Sequence, residues 1–193
     1  MNMKLRNVLF LCAATVVLAG CDVVKQVGGA YTMTQCTYAY NSVSNLSVAG
    51  FDLSKKLSPL DLLKVAPLLT GKATSVPMSL TVGVDVSNPN KMEAMMQGMS
   101  YILSVDGFKF TSGEVNEPIS VPASATKTMP LNLSFDLATL LSSDSKDAAM
   151  GIVKNLLGMS DKESKVKFEI KPSFKVGSQT LTAPNYIPLE FSL

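Results

Sequence analysis

The sequence predicts a mainly β protein, an antiparallel β-sandwich with two short helices. Three observations carry this. Met78, Leu80, Val82, Val84 and Val86 alternate strictly with Ser79, Thr81, Gly83, Asp85 and Ser87, a period of two that puts every apolar side chain on one face of a strand. Leu131, Leu133, Phe135 and Leu137 repeat the pattern. Asp106-Gly107 joins two further alternating runs and signals a tight hairpin, because both positions tolerate positive φ. A strand with one apolar face needs a second layer to cover it, which leads to two stacked sheets.

In chain order, Lys4 and Arg6 form a short positive region ahead of an apolar run, Val8 to Leu18, that ends in Leu18-Ala19-Gly20-Cys21. At 1.5 Å per residue the run spans roughly 16 Å as a helix, too short for a hydrocarbon core of about 30 Å, so residues 1–20 read as a signal peptide. Leu-Ala-Gly-Cys resembles the bacterial lipobox, whose cysteine takes diacylglycerol on its thiol and becomes the first mature residue. Cys21 is therefore the expected lipid-anchor residue, and the membrane, reached through acyl chains on Cys21, is the expected partner. The expected location is the cell envelope, with the outer membrane favoured. Asp22 keeps the inner membrane open, because some bacteria read an acid there as a retention signal.

Residues 21–34, with Gly28-Gly29, read as a tether, and 35–193 as the folded domain. From Cys21 onward, fifteen lysines balance fifteen acids and no Arg or His remains. Nucleic-acid binding, which draws its affinity from clustered basic residues on phosphates, is not supported. Imidazole metal sites and Ser-His or Cys-His catalysis are excluded. No cofactor and no metal are expected.

Cys36, Tyr38 and Tyr40 alternate into a first strand, and Leu46 to Leu53 reads as a second. Cys36 is the one free thiol left if Cys21 carries lipid, and is expected to be a small buried hydrophobe. Ser58-Pro59-Leu60-Asp61 is a helix start: Ser58 accepts from free backbone N–H groups, Pro59 needs no donor, and Asp61 suits the positive end. Leu60, Leu62, Leu63 and Ala66 form its apolar stripe, expected to plug one end of the sandwich, with a partner-binding amphipathic helix as the lesser reading, and Pro67 ends it. Met92, Met95, Met96 and Met99 suit a soft contact surface or thioether copper ligation; with no His or Cys nearby, gap filling is the reading adopted.

Tyr101, Leu103 and Val105 lead into Asp106-Gly107, Phe108 and Phe110 return, and Gly113 is expected to break that strand. Pro130 to Leu137 gives another. Ser145 to Leu157, with Ala149, Ile152, Val153 and Leu156 on one face, predicts the second helix. Val166, Phe168 and Ile170 then alternate with Lys165, Lys167, Glu169 and Lys171, whose charges would protect a sheet edge. Ile187, Leu189, Phe191 and Leu193 close the chain as an inward row.

Ser87-Asn88-Pro89-Asn90 after an alternating strand, then Met99 to Gly107, Ser112-Gly113 and Val121-Pro-Ala-Ser-Ala125, together resemble the late embryogenesis abundant type 2 (LEA14-like, WHy domain) family over roughly Val48 to Leu137. The resemblance implies a fibronectin III/immunoglobulin-like sandwich and supplies no catalytic residues. Asn88 and Asn90 can bond nearby backbone while Pro89 presets φ, so a structural role accounts for them. Ser143-Asp-Ser-Lys146 fits the Ser-x-x-Lys pattern of penicillin-binding enzymes, but the companion elements of that family are missing. The expectation is a lipid-anchored, non-enzymatic envelope protein that binds or supports a protein or glycan partner the residues do not name. A surface lipoprotein binding glycan or protein is the second reading, and a Ser-Lys hydrolase the third.

Overall fold

The computed structural model describes residues 22–53, 58–65, 73–138, 146, 150–151, 154–155 and 162–192. In chain order these give helix α1 (22–34), β1 (Thr37–Val48), β2 (Phe51–Asp52), α2 (Pro59–Val65), β3 (Pro77–Asn88), β4 (Ala94–Met96), β5 (Gly98–Val105), β6 (Phe108–Val115), β7 (Ile119–Val121), β8 (Ala125–Asp136), β9 (Lys165–Val176), β10 (Gln179–Thr182) and β11 (Ile187–Ser192).

Antiparallel pairing sorts the strands into two main sheets. One has the order β2-β1-β3-β8; the other runs β10-β9-β5-β6, with β11 also on β9. The short strands β4 and β7 pair separately. The alternating stretch behaves as its period requires. β3 pairs with β8 along its whole length, from Pro77↔Asp136 to Asn88↔Ala125, and Val82, Val84 and Val86 are fully buried. Leu131 and Leu133 from β8 and Phe168 and Ile170 from β9 are buried in the same core. The sheets also meet through aromatic rings: Tyr40 of β1 stacks on Phe191 of β11 at 3.8 Å, and Phe110 of β6 meets Phe135 of β8 edge-on at 6.2 Å. Each such apolar side chain contributes about 1.5–3 kcal/mol when fully buried.

The polar positions of the first sheet form cross-strand ladders on its other face. Asn45 donates to Thr81 and Thr81 to Asn132, at 3.2 and 2.8 Å. Asn41 and Thr128 both donate to Asp85, and the Ser47 and Ser79 hydroxyls lie 2.9 Å apart. These contacts hold the carboxyl of Asp85 below its ordinary range, the Thr128 hydroxyl first and the Asn41 amide second.

The structure corrects the sequence reading at several places. The two strands expected over Cys36–Tyr40 and Leu46–Leu53 are a single long β1, turned by Ala49-Gly50 (φ 50° and 82°) into β2. Register breaks between Tyr40 and Ser42 and between Ser44 and Ser47 make the apolar positions run Tyr38, Tyr40, Val43, Leu46, Val48, which hides the period. Gly113 does not end β6, which continues to Val115. A Cβ there would lie 2.8 Å from the Tyr101 hydroxyl, so this glycine makes room for a ring on the neighbouring strand. The charged face of β9 protects no edge, since β9 is flanked by β5 on one side and by β10 and β11 on the other.

α2 forms where expected, closed by a reciprocal cap. The Asp61 N–H donates to the Ser58 hydroxyl oxygen, and the Ser58 backbone N–H and hydroxyl both donate to the Asp61 carboxylate. Two residues of its expected stripe are not buried, however: Leu60 and Leu63 are 69% and 70% exposed. Ala66 and Pro67 lie outside the described residues, as does most of Ser145–Leu157. Within that insert, Lys146, Met150, Gly151, Lys154 and Asn155 are described and helical.

The largest difference is at the start. Residues 22–34, expected to be a tether, are the helix α1, and it is docked. Gly29, Thr32, Met33 and Cys36 fall at i, i+3, i+4 and i+7 and are buried, which gives the helix one inward face. Its C-terminus tightens through i→i+3 bonds, Gln35 N–H to the Thr32 carbonyl and Cys36 N–H to that of Met33.

Candidate functional site

Both ends of the sandwich are defined by the register. Thr37↔Ser87 lies at one end of the β1–β3 pair and Val48↔Met78 at the other, roughly 30 Å apart at about 3.3 Å per residue. α1 enters β1 at the first end; α2 links β2 to β3 at the second.

The α1 end holds the polar centre of the molecule. Asn88, 2% exposed, directs its amide nitrogen at three carbonyl oxygens, those of Met92 (2.8 Å), Pro122 (3.0 Å) and Val121 (3.1 Å). Its own oxygen accepts from the backbone N–H and the side-chain amide of Asn90. Asn90 in turn reaches the Thr32 carbonyl of α1, and its carbonyl accepts from Ser124 N–H. One buried amide thus joins the end of β3, the loop before β4, the end of β7 and the last turn of α1. The turn role expected for Asn88 and Asn90 holds; its reach into three other segments has no local sequence signal.

α1 lies against the methionine segment. A Cβ on Gly28 would come 2.9 Å from Cε of Met92, and one on Gly29 would come 2.5 Å from Cε of Met95. The glycines are docking points for flexible thioether side chains. Met96 and Met99 lie in the core and Met95 packs on Gly29, so gap filling describes these three, while Met92 is exposed. Gln26 fixes the other end of the helix by accepting from Gly177 N–H in the β9–β10 turn at 2.8 Å.

Between α1, β4, β7 and β9 is a cleft of about 270 Å³, with Gln26, Gln97, Ser120 and Lys175 as its polar lining and Met95, Met96, Pro118 and Ile119 as the apolar part. It falls just short of the ~300 Å³ at which small-molecule sites begin, and no carboxylate lines it to act as acid or base. A second depression, about 660 Å³, lies along the β5–β6 turn, β9 and β11; there Lys167 pairs with Glu169 at 3.1 Å.

Cys36 is buried, its thiol donates to the Thr32 carbonyl at 3.5 Å, and burial raises its pKa, which leaves it protonated and a poor nucleophile. Tyr38 donates to the Met33 carbonyl, and burial above all, with Cys36 second, raises its phenol. Lys146 is exposed; Ser143 and the lipid-anchor candidate Cys21 lie outside the described residues. Among the described residues no cluster of His, Cys, Asp and Glu could hold a metal ion, and no helix is long and apolar enough to cross a membrane.

No curated protein matches this sequence. Solved structures resemble it at low identity. A crystal structure of a protein from Archaeoglobus fulgidus matches at 15% identity and TM-score 0.41, covering 80% of this chain and 96% of that one. A solution structure of an Arabidopsis thaliana protein matches at 12% and 0.48, covering 81% and 79%. The solution structure of a provisionally assigned late embryogenesis abundant protein matches at 16% and 0.42, covering 97% and 88%. The family model described as "Late embryogenesis abundant protein" matches residues 83–186, later in the chain than the Val48–Leu137 stretch whose motifs resemble the family. It spans the buried Asn88 centre and more than half of the chain, which therefore belongs to the late embryogenesis abundant type 2 family.

Proposed function

We propose that this chain is a lipid-anchored, non-enzymatic protein of the cell envelope, held to a membrane by acyl chains on Cys21 and acting as a binding or structural module. The observation that carries the reading is Leu18-Ala19-Gly20-Cys21 at the end of an apolar run preceded by Lys4 and Arg6. Each buried CH₂ contributes about 0.8 kcal/mol, so two or three acyl chains hold a protein on a bilayer almost permanently. The absence of histidine from the whole sequence, the protonated, buried Cys36 thiol and a cleft lined by amides, a hydroxyl and a lysine support a role without catalysis. On the face of β1, β3 and β8 away from the core, the exposed Asn45 and Asn132 side chains and the half-buried Ser47 and Ser79 hydroxyls offer hydrogen-bonding groups to a polar partner.

Metabolic labelling with an alkyne fatty acid tests the anchor. Wild-type protein takes up label and sediments with membranes, and Cys21→Ala loses both. Wild-type protein that takes up no label would end the reading.

A further inference from the structure

We infer that α1 is a membrane-contact helix, lying flat on the bilayer with Val24, Val27 and Tyr31 against the lipid, so that the domain is held at the surface in one orientation and does not swing on a linker. This rests on the Cys21 anchor proposed above.

Two observations carry it. The first is an outward apolar stripe. Val24, Val27 and Tyr31, spaced i, i+3 and i+7, lie on the side of α1 opposite Gly29 and Met33, and are 72%, 48% and 65% exposed. Val23 and Met92 flank them at 38% and 55%. A soluble helix turns polar residues outward; this one turns valines and a tyrosine outward, a residue type suited to the boundary between lipid and water.

The second is how near the helix lies to the anchor. Asp22, the first described residue, is already helical and is one Cα step of about 3.8 Å from Cys21, so no free linker separates lipid from fold. α1 is itself fixed to the domain at both ends, by Gln26 on the β9–β10 turn and by Asn90 at the Thr32 carbonyl. Acyl chains entering the bilayer at Cys21 must therefore bring the first turns of α1 to the surface. An interfacial helix sinks its apolar face about 5–10 Å into the headgroup boundary, which suits a stripe of this depth. α2, with its exposed Leu60 and Leu63, follows β2 at the opposite end of the β1–β3 pair.

The chain contains no tryptophan, so a single introduced Trp reports its own position. Tyr31 lies about 13 Å along the helix from Asp22, the neighbour of the anchor residue: a helix lying flat keeps it in contact with lipid, and one standing upright lifts it clear. The full lipidated protein, carrying Val24→Trp, Tyr31→Trp or Phe108→Trp, is reconstituted into phosphatidylethanolamine–phosphatidylglycerol vesicles with and without brominated acyl chains. Phe108, at the far turn of β5–β6, is the control. Emission from Val24→Trp and Tyr31→Trp is expected to shift to shorter wavelength and to lose most of its intensity in brominated vesicles, while Phe108→Trp is unaffected. Quenching at Val24→Trp without quenching at Tyr31→Trp overturns the inference and leaves the anchor standing. Blue-shifted but unquenched Tyr31→Trp, sensitive to protein concentration, also overturns it and assigns the stripe to a second copy of the chain. Protein that carries no acyl label and does not stay with vesicles removes the anchor, and the inference with it.

Discussion

Replacing Asn88 tests whether one buried amide holds the α1 end of the fold together. Truncation to alanine removes the donors facing the carbonyls of Met92, Val121 and Pro122, and the acceptor for the two Asn90 groups. Two amide hydrogens given and two bonds accepted make four net hydrogen bonds, each about 1 kcal/mol. Asn88→Ala should therefore cost about 4 kcal/mol, a large part of a typical stability of 5–15 kcal/mol. With an m-value of about 2 kcal/mol/M, the urea midpoint falls by roughly 2 M. Asn88→Asp separates hydrogen bonding from shape, since it keeps the volume but turns a carboxylate toward three carbonyl oxygens. It should lose at least as much as the alanine variant at neutral pH, and regain part of it in acid, where a protonated carboxyl supplies one donor. Urea unfolding followed by far-UV circular dichroism gives both midpoints. An Asn88→Asp protein within about 1 kcal/mol of wild type at pH 7 would refute the argument, because a satisfied buried donor cannot become a repelled acceptor at so small a cost.

Three further outcomes follow from the geometry. Gly98→Ala places a Cβ against the Val115 backbone carbonyl of the adjacent β6, an overpacking that should cost about 1–3 kcal/mol in the same unfolding assay; unchanged stability would refute that contact. Asp136 accepts from the Ser75 hydroxyl and from the N–H groups of Val76 and Ala138, and these bonds, Ser75 first, hold its carboxyl below the ordinary range, as Thr128 does for Asp85 and Ser58 for Asp61. A carboxyl with a lowered folded pKa adds stability that is fully present above its unfolded value near 4 and is lost as pH falls through the folded value. With no histidine to titrate, thermal stability should stay level between about pH 5 and 8 and decline below about pH 4; a transition centred near pH 6 would contradict this. Finally, Cys36, buried and protonated, should resist Ellman's reagent in the native protein and react on unfolding. Rapid native labelling would overturn its placement.

The two sheets were legible because β3, β8 and β9 keep an unbroken period of two, and the apolar face of such a strand has to be covered. β1 was not, because its two bulges shift the apolar positions out of phase. The contribution of Val43 to the core therefore looks accidental in a window read for alternation. The role of β9 was misjudged for a related reason. A row of lysines facing solvent is the same whether the strand is at an edge or in the middle of a sheet, because side chains report on the faces of a sheet while neighbours are found through the backbone. α2 illustrates the reverse limit. Its cap at Ser58 and Asp61 is local chemistry and was readable, whereas burial of Leu60 and Leu63 depends on a neighbouring surface that local spacing does not encode.

The candidate site was hidden by two glycines. In an isolated chain Gly28-Gly29 costs a helix about 1 kcal/mol per residue relative to alanine, and that cost argues for a linker. The cost is offset only by contacts distant in sequence: Met92 and Met95 reach the space a Cβ would fill, and Met33 disappears into the core. Since the helix is maintained by docking and not by propensity, its outward residues are not needed for folding, and Val24, Val27 and Tyr31 could have been polar without loss to the fold. Apolar side chains at positions where stability does not require them are explained by something outside the fold, and the surface nearest to residue 22 is the one to which Cys21 would be attached.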